Sequence, residues 1–386
     1  LHNSNQELYP ADKVVEKIGG VFAEELEKRG KRFILRTFGN LDENYATIEN
    51  GARLLAQKHS FEIETKITPY DFSPFMPDNP YLRAIKGCTI GAECDALGEY
   101  LGAGRMPAEN IEDVVRYVSY AQKCKVDRYT IRLDRHHYDV FDCYPINLYA
   151  YEQAITKPGI TADEIRLDYY RKNYSEDIAE VLSKISKDGY YCILATNFID
   201  GNLIFHQFPT DPAMKFIKSG GITAAFSSKG DLGMKDKQWG MLSSKTVPGR
   251  KKIIEEKEYA VACAEKNLAM LDSLKDKISI SDYERLYPEW MCLRNDAVAT
   301  LELCKVICAY FDGIESCDAS GRMIEKAYCQ MCKTMTGLRC TRPYTQIAAL
   351  FVEEYPQDIR MRKEIAANGN VTDYILPGSV FDEIRH

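Results

Sequence analysis

The sequence is defined first by what it lacks. It has no apolar run of the ~18 residues that a membrane-spanning helix needs, no visible signal peptide and no internal repeat or low-complexity tract. It also lacks a basic balance, because 57 acidic residues against 50 Lys and Arg give a formal net charge of −7. A phosphate backbone favours a basic face. We therefore expect neither a membrane nor a nucleic acid as partner.

The 13 cysteines are odd in number and lack the regular spacing of a small disulfide scaffold. In a chain this long, such a pattern predicts thiols that are mostly free and buried, as in a reducing compartment. That favours a cytoplasmic location. Because the chain begins at Leu1 instead of Met, we expect that a segment before it is missing, and a periplasmic or secreted location stays open.

The bulk numbers are those of a globular protein. The chain has 386 residues, enough for two domains, with 45% hydrophobic and 28% charged side chains. Tyrosine is abundant, at 25 residues. A tyrosine ring can pack on a sugar face while its hydroxyl forms a hydrogen bond, although composition alone favours the simpler interpretation that these rings fill the core.

The first 140 residues alternate between strand-like and helix-like segments, which predicts βαβ units and a parallel sheet. Only four good strands are present. They indicate either a small open sheet or one half of a barrel whose other half precedes Leu1. The predicted strands are 32–38, 61–67, 89–97 and 127–133. The predicted helices are 12–29, before the first strand, and 45–57 and 110–123, between strands.

After His137 the pattern becomes helical, with a short apolar run at 190–195 and a stretch rich in Gly, Ser and Lys at 219–250. We therefore predict an α/β part, either the small open sheet or the C-terminal half of a (β/α)8 barrel, followed by a mostly α-helical region. The predicted domains are a barrel portion with the catalytic site at 1–218, a linker or irregular loop at 219–250 and a helical domain at 251–386. The predicted helices are 147–154, 161–187, 255–274, 282–311 and 319–335.

Functional residues of such barrels follow the carboxyl ends of the strands. Asp71 and Glu99 take such positions on neighbouring strands, as do the cations Arg36 and Lys66. Glycoside hydrolysis with inversion needs a carboxylate that activates water and a carboxylic acid that protonates the leaving oxygen, and cations can hold a substrate carboxylate. The alternative is that these acidic residues are only helix caps or turn formers.

Two stretches resemble the α-glucuronidases of glycoside hydrolase family 67. One is Lys66-Ile-Thr-Pro-Tyr-Asp71-Phe, and the other, 28 residues on, is Gly98-Glu99-Tyr100-Leu-Gly102. Leu35-Arg36-Thr-Phe38 is similar to the strand that carries the family's uronate-binding arginine. The motif resemblance covers about residues 30–105.

The resemblance implies that Asp71 and Glu99 hold and deprotonate the attacking water, while Arg36, Lys66 and Tyr100 bind the substrate. The implied substrate is glucuronic acid, or its 4-O-methyl ether, α-linked to a xylo-oligosaccharide. We expect neither a cofactor nor a metal. The family's helical C-terminal region, used for dimerisation, is similar in character to residues 251–364, which implies a homodimer.

The sequence departs from the family pattern at the general acid. The family has a glutamate after Asn-Ser on the preceding strand, whereas Asn5 follows Asn3-Ser4 here. Either Glu7 is a displaced acid, or the acid lies upstream of Leu1, or the chemistry has changed. A non-catalytic carbohydrate-binding or assembly protein and a hydrolase for another acidic sugar therefore remain alternatives.

Two further features have plain structural interpretations. Cys329 and Cys332, in a Cys-x-x-Cys, and Cys304 and Cys308 are each one helical turn apart, which predicts buried thiols better than a zinc site, since zinc needs four ligands. His136 and His137 end the fourth strand, and at most one of them can point to a given face.

Overall fold

The structure is a computed structural model that describes residues 11–37, 50–67, 88–96, 105–135, 138–139, 144–199, 202–203, 246–340 and 343–367. These residues form two compact units. The first takes the described residues up to 96 together with 110–169, and the second takes 105–109 and the described residues from 170 onward. The linker and domain boundary predicted near 219 lie outside the described residues and stay predictions.

A four-stranded parallel sheet is the centre of the first unit. Its strands are β1 (Ile34–Thr37), β2 (Glu62–Lys66), β3 (Thr89–Asp95) and β4 (Arg128–Arg132). Each strand pairs with the next one along the chain, so the order is β1-β2-β3-β4. The α/β prediction is thus confirmed for this unit. In the part of the chain that the structure describes, the sheet has four strands, so the eight-stranded barrel stays a prediction.

Helices cover the apolar face of this sheet. Leu35, Ile63, Ala92 and Ile131 alternate with charged residues along the strands, and Ile63 packs with Leu55 of the helical stretch 50–56. The helices of the unit are α1 (Ala11–Lys13), continued by a π turn (Val14–Ile18) into α2 (Gly19–Lys28), then α3 (50–56), α4 (Ile111–Cys124), α5 (Pro145–Thr156) and α6 (Ala162–Arg171).

Side chains of α5 form hydrogen bonds with the backbone at the end of β3. On α5, Tyr151 donates a hydrogen bond to the carbonyl of Asp95 at 3.0 Å, and Asn147 donates to the carbonyl of Ala96 at 2.8 Å. Both donors are buried. Because a buried carbonyl without a partner is unfavourable, these bonds fix the position where the chain leaves β3.

The second unit is helical, and its helices are α7 (Glu176–Asn197), α8 (Val247–Leu274), α9 (Ile280–Ser316), α10 (Arg322–Met335) and α11 (Tyr344–Ala367). Helices α8 and α9 begin at side-chain caps, where Thr246 and Ser279 accept hydrogen bonds from the amides of Gly249 and Asp282. Helix α9 packs against α8, α10 and α11. Its core is apolar and aromatic, and Tyr310, at 0% exposure, donates a hydrogen bond to Asp358.

Three local predictions were wrong. The helix predicted at 161–187 is two helices, α6 and α7, and the apolar run 190–195 is the last part of α7 instead of a separate segment. The reason is that Asn173-Tyr174-Ser175 breaks the helix and Ser175 adopts an extended conformation.

The third wrong prediction is the burial of Cys329 and Cys332. Both are exposed, because α10 buries Ile324 and Met331 on its other face.

Four short strands complete the described elements in two antiparallel hairpins. They are β5 (Asp134–Arg135) with β6 (Tyr138–Asp139), and β7 (Phe198–Ile199) with β8 (Asn202–Leu203). Among the helices searched in the described ranges, none is both long and apolar enough to cross a membrane.

Candidate active site on the charged face of the sheet

The face of the sheet opposite the helices carries charged and polar residues from all four strands. Alternation with period two along each strand puts them there, and the strand register aligns Arg36 with Glu64, Glu64 with Gly91, and Gly91 with Arg128. We call this surface the charged face. Its residues are Arg36, Glu62, Glu64, Lys66, Gly91, Glu93, Asp95, Arg128, Thr130 and Arg132.

Arg36 and Glu93 form a two-pronged ion pair on the charged face. Arg36 Nε donates to Glu93 Oε2 at 2.5 Å and Nη2 donates to Oε1 at 2.6 Å. The pair spans β2, since Arg36 is on β1 and Glu93 on β3. The Glu93 side chain is only 7% exposed, whereas that of Arg36 is 46% exposed. The hydrogen bonds to Glu93 raise the pKa of Arg36 above its ordinary value, so this guanidinium is a permanent cation.

Arg128 holds two carboxylates of β2 from the far side of β3. Its Nη2 lies 2.6 Å from Glu62 Oε1 and 2.5 Å from Glu64 Oε2, and Thr130 also donates to Glu64, at 2.7 Å. Gly91 lies between them, and a Cβ there would come within 2.9 Å of Glu62 Oε1. The absent side chain at Gly91 is therefore what lets Arg128 reach across β3.

The last residues of the strands continue the charged face to the carboxyl edge of the sheet. Arg132, at the end of β4, donates a hydrogen bond to Asp95, at the end of β3. Lys66 ends β2, and its backbone aligns with Glu93; its side chain is outside the described residues. The buried members of the network are thus continuous with the edge where parallel α/β folds bind ligands.

This arrangement offers a ligand both hydrogen-bond donors and acceptors. Each of the carboxylates Glu64, Glu93 and Asp95 is held by an arginine, and arginine forks match carboxylates by geometry. Removing such groups from water is costly even when they are paired. The charges of the face balance, so a polar ligand that exchanges hydrogen bonds with this network would be oriented by it, and the half-exposed Arg36 is the cation that an acidic group can reach.

The residues that the sequence predicted for the site divide into two groups. Asp71, Glu99 and Tyr100 lie outside the described residues, as does the weaker candidate Glu7. Their roles stay predictions. Arg36 is described, and its fork faces the carboxylate of Glu93. A substrate carboxylate would bind the same fork in the same way, so the predicted role of Arg36 is neither confirmed nor contradicted.

The in-strand residues of the charged face were not among the predicted site residues. The predicted residues end or follow the strands, whereas Glu64, Glu93 and Arg128 lie inside them. The signal was present, because Glu62-Ile-Glu64-Thr-Lys66 alternates apolar and charged residues. The alternation does not show that these carboxylates are buried. Only 3% of Glu62 and 6% of Glu93 is exposed to solvent.

A search of the described residues finds no group of three or more His, Cys, Asp or Glu side chains placed to hold a metal ion. The described cysteines, twelve of the thirteen, carry no disulfide.

Comparison with known proteins adds little to this geometry. No protein-family profile matches the chain, and no curated protein sequence matches it. One solved structure with a distant likeness is a GH138 enzyme targeting pectin rhamnogalacturonan II, at 10% sequence identity and a TM-score of 0.41. The alignment covers 92% of this chain and 64% of that protein, so the chain spans less than two thirds of its length. A likeness this low assigns neither a barrel nor an activity.

Proposed function

We propose that this chain carries the base side of an inverting glycoside hydrolase that acts on acidic sugars. Its proposed substrate is glucuronic acid, or 4-O-methylglucuronic acid, α-linked to a xylo-oligosaccharide. The proposed fold around the site is the C-terminal half of a (β/α)8 barrel. The motif resemblance at residues 30–105 supplies the substrate class, and the charged face supplies the chemical setting.

The strand order supports the barrel part of the proposal. In a barrel each parallel strand pairs with its sequence neighbours, whereas a doubly wound sheet has a point where the order reverses. The four strands here run in consecutive order without a reversal. Helices α3, α4 and α5 follow or precede these strands, and the apolar face is the one they cover.

One observation carries the functional part. The charged face buries carboxylates against arginines up to the carboxyl edge of the sheet, from Glu64 and Arg128 to Asp95 and Arg132. The interior of a barrel with only a structural role is filled by branched apolar side chains. Ion pairs at this position are therefore interpreted as ligand-binding groups. An acidic sugar with many hydroxyl groups is a ligand that such groups can bind.

The proposed roles follow from these positions. Asp71 and Glu99, which follow β2 and β3, hold the attacking water and take its proton. Arg36 and Lys66 bind the uronate carboxylate, and Tyr100 packs on the sugar ring. Glu93 competes for the Arg36 fork, so substrate binding on this proposal includes a change of partner for Arg36. No general acid is assigned to the described residues.

The test is release of glucuronic acid from aldouronic acids, with the anomer of the product read by proton NMR. We expect inversion in the full-length wild-type protein, and loss of turnover by at least about 10³-fold when Asp71→Ala or Glu99→Ala is introduced into it, with unchanged unfolding transitions. Glu24→Gln, which changes an exposed carboxylate on α2, is the control and should keep full activity. Turnover retained in either alanine variant would overturn the base assignment.

The same assay separates the two rival interpretations. Binding of aldouronic acids without any hydrolysis would favour a non-catalytic carbohydrate-binding protein. Hydrolysis of a different uronic acid, with the same dependence on Asp71 and Glu99, would keep the mechanism and change the substrate.

A further inference from the structure

Two cysteines of the helical unit face each other across a pair of packed helices. Cys192 lies on α7 and Cys263 on α8, and these two helices pack together. Both side chains are buried and neither is in a disulfide. Cys192 Sγ lies 3.3 Å from the carbonyl oxygen of Ala260 on α8, and Cys263 Sγ lies 3.8 Å from that of Asp188 on α7, so each thiol contacts the helix that carries the other.

Polar groups lie around the sulfur of Cys263. Asn267 Nδ2 donates a hydrogen bond to Cys263 Sγ at 3.4 Å, and Lys266, nearly one turn along α8, pairs with Asp188 at 3.0 Å. The neighbouring thiol of Cys192 is the largest influence on the pKa of Cys263 and lowers it below its ordinary value, while burial and the charge of Asp188 oppose that effect.

Cys192 has the opposite character. Its side chain is 0% exposed, and its Sγ lies within 3.3 Å of the α8 backbone at Ala260. Burial raises the pKa of this thiol well above its ordinary value, so it stays protonated. Cys263 keeps 6% of its surface exposed. A small oxidant therefore meets Cys263 first, and Cys192 is placed behind it.

We propose that Cys263 and Cys192 form a peroxide-reactive pair, in which Cys263 is the oxidised residue and Cys192 is the resolving residue that closes a disulfide between α7 and α8. The proposed reactant is hydrogen peroxide or another small hydroperoxide. This site is independent of the charged face and of any activity there.

Hydrogen peroxide oxidises the two thiols in two steps. The Cys263 thiolate attacks one peroxide oxygen, the O–O bond breaks, and the leaving hydroxide takes up a proton to give water and a Cys263 sulfenic acid. The Cys192 sulfur then attacks the Cys263 sulfur, the S–O bond breaks, and the hydroxide leaves with the Cys192 proton as a second water. Two thiols lose two electrons to one peroxide, and the two sulfurs are joined by a bond of ~2.05 Å.

A disulfide here would reinforce a junction that is already held by a buried cation. Lys257 of α8 donates hydrogen bonds to the carbonyl of Ala195 at 2.6 Å and to that of Phe198 at 2.5 Å. These carbonyls end α7, a few residues beyond Cys192. Cross-linking residues 192 and 263 also closes a long loop, which restricts the unfolded chain. Oxidation should therefore raise the thermal unfolding temperature by several degrees.

The other paired cysteines of the described chain are internal controls. Cys304 and Cys308 lie one turn apart on the same helix, α9, so a disulfide between them would join no second element. Cys329 and Cys332 are also one turn apart on one helix, and both are exposed. If exposure alone decided reactivity, Cys329 and Cys332 would react first.

The experiment treats the full chain with a small molar excess of hydrogen peroxide, quenches it with catalase, alkylates the remaining thiols and maps the peptides by mass spectrometry. We expect a cross-linked Cys192–Cys263 peptide that dithiothreitol removes, with Cys304 still reduced. Cys192 and Cys263 both alkylated while Cys329 and Cys332 are oxidised would overturn the proposal, and this outcome does not depend on any variant.

Two variants test the assigned order. In Cys192→Ser the sulfenic acid on Cys263 has no resolving thiol, and dimedone should trap it. In Cys263→Ser, Cys192 should stay reduced under the same treatment. Cys304→Ser is the matched control, which removes another buried thiol and should form the Cys192–Cys263 disulfide as the wild type does. Oxidation of Cys192 at an undiminished rate in Cys263→Ser would reverse the order and refute the assignment.

Discussion

The charged face of the sheet and the core of the helical unit are both buried, yet they are made of opposite kinds of side chain. The helical core is apolar, with fully buried Phe351 and Leu303 around Tyr310. The charged face buries Glu64 and Glu93 against arginines. Apolar burial stabilises a fold directly, whereas a buried ion pair often contributes less than a well-packed apolar replacement would. The difference suggests that the helical core serves stability and the charged face serves a ligand.

Buried carboxylates also differ between the two regions. On the sheet, Arg36 donates to Glu93 at 2.5 Å. In the helical unit, the nearest Arg285 nitrogen is 3.6 Å from Glu289. There, burial raises the pKa of the Glu289 carboxyl to about 8, an effect that Arg285 opposes and Glu109 reinforces. Burial thus keeps the Glu289 carboxyl protonated up to about pH 8, whereas arginines donate to the sheet carboxylates at hydrogen-bond distance.

The largest effect on stability is expected from the helical core. Phe351→Ala removes a fully buried ring and should lower the free energy of unfolding by about 4 kcal/mol, from the lost transfer energy and the cavity. Urea unfolding measures this, and Phe351→Leu, which keeps more of the volume, should lose less. A loss below about 1 kcal/mol in Phe351→Ala would mean that this core is not what holds the unit together.

The next largest loss of stability is expected from removing Arg128, which pairs with two carboxylates of the sheet. Arg128→Ala leaves Glu62 and Glu64 without their shared cation and should cost about 3 kcal/mol at neutral pH. Replacing all three charged groups together, as Glu62→Gln, Glu64→Gln and Arg128→Met, should recover most of that loss, because no buried charge is then left unpaired. If the triple variant is as unstable as Arg128→Ala, the ion pairs themselves stabilise the fold. The contrast drawn between the charged face and the apolar core would then be wrong.

A smaller loss is expected at the glycine that Arg128 crosses. The added Cβ of Gly91→Ala would displace the Glu62 carboxylate from Arg128, at about 1–2 kcal/mol. Gly20→Ala on α2 is the matched control, since its new Cβ has no neighbour closer than 3.7 Å, and it should be neutral or stabilising. Equal effects of the two substitutions in thermal unfolding would remove the role assigned to Gly91.

The smallest effect is a pH dependence in the helical unit. Because the pKa of Glu289 is raised from 4.5 to about 8 in the folded chain, the unfolded state releases the proton first, and stability falls as pH rises from about 5 through 8. The wild type should lose on the order of 1 kcal/mol for each pH unit within this window, and Glu289→Gln should flatten that slope. Parallel stability curves for the two proteins would show that Glu289 does not titrate in this range.

The sequence predicted the parallel strands and most of the long helices. The segment 61–67 contains β2 because period two shows directly in its residue types, and 32–38 contains β1 because it is a short apolar run bounded by turn residues. The break between α6 and α7 was missed because Asn173-Tyr174-Ser175 contains no glycine or proline. Helical spacing at Cys329 and Cys332 could not reveal which face of α10 is buried, since that depends on the helices around it.

The site was harder to predict than the fold. Arg36 and Glu93 are 57 residues apart and lie on strands that are not neighbours, so no local pattern joins them. The meaning of Gly91 likewise requires the register that puts it between Glu64 and Arg128. Asp71 and Glu99 were selected by a motif resemblance, and the described geometry supplies their setting without including them.

The most direct test combines Arg36→Met with Glu93→Gln, which removes one buried ion pair at similar volume. Isothermal titration with glucuronic-acid-capped and with neutral xylo-oligosaccharides, together with urea unfolding, should show at least roughly tenfold weaker binding of the acidic sugar only. The free energy of unfolding should stay within about 1 kcal/mol of wild type. Unchanged binding of the acidic sugar, together with a large loss of stability, would contradict a ligand-binding role for the charged face.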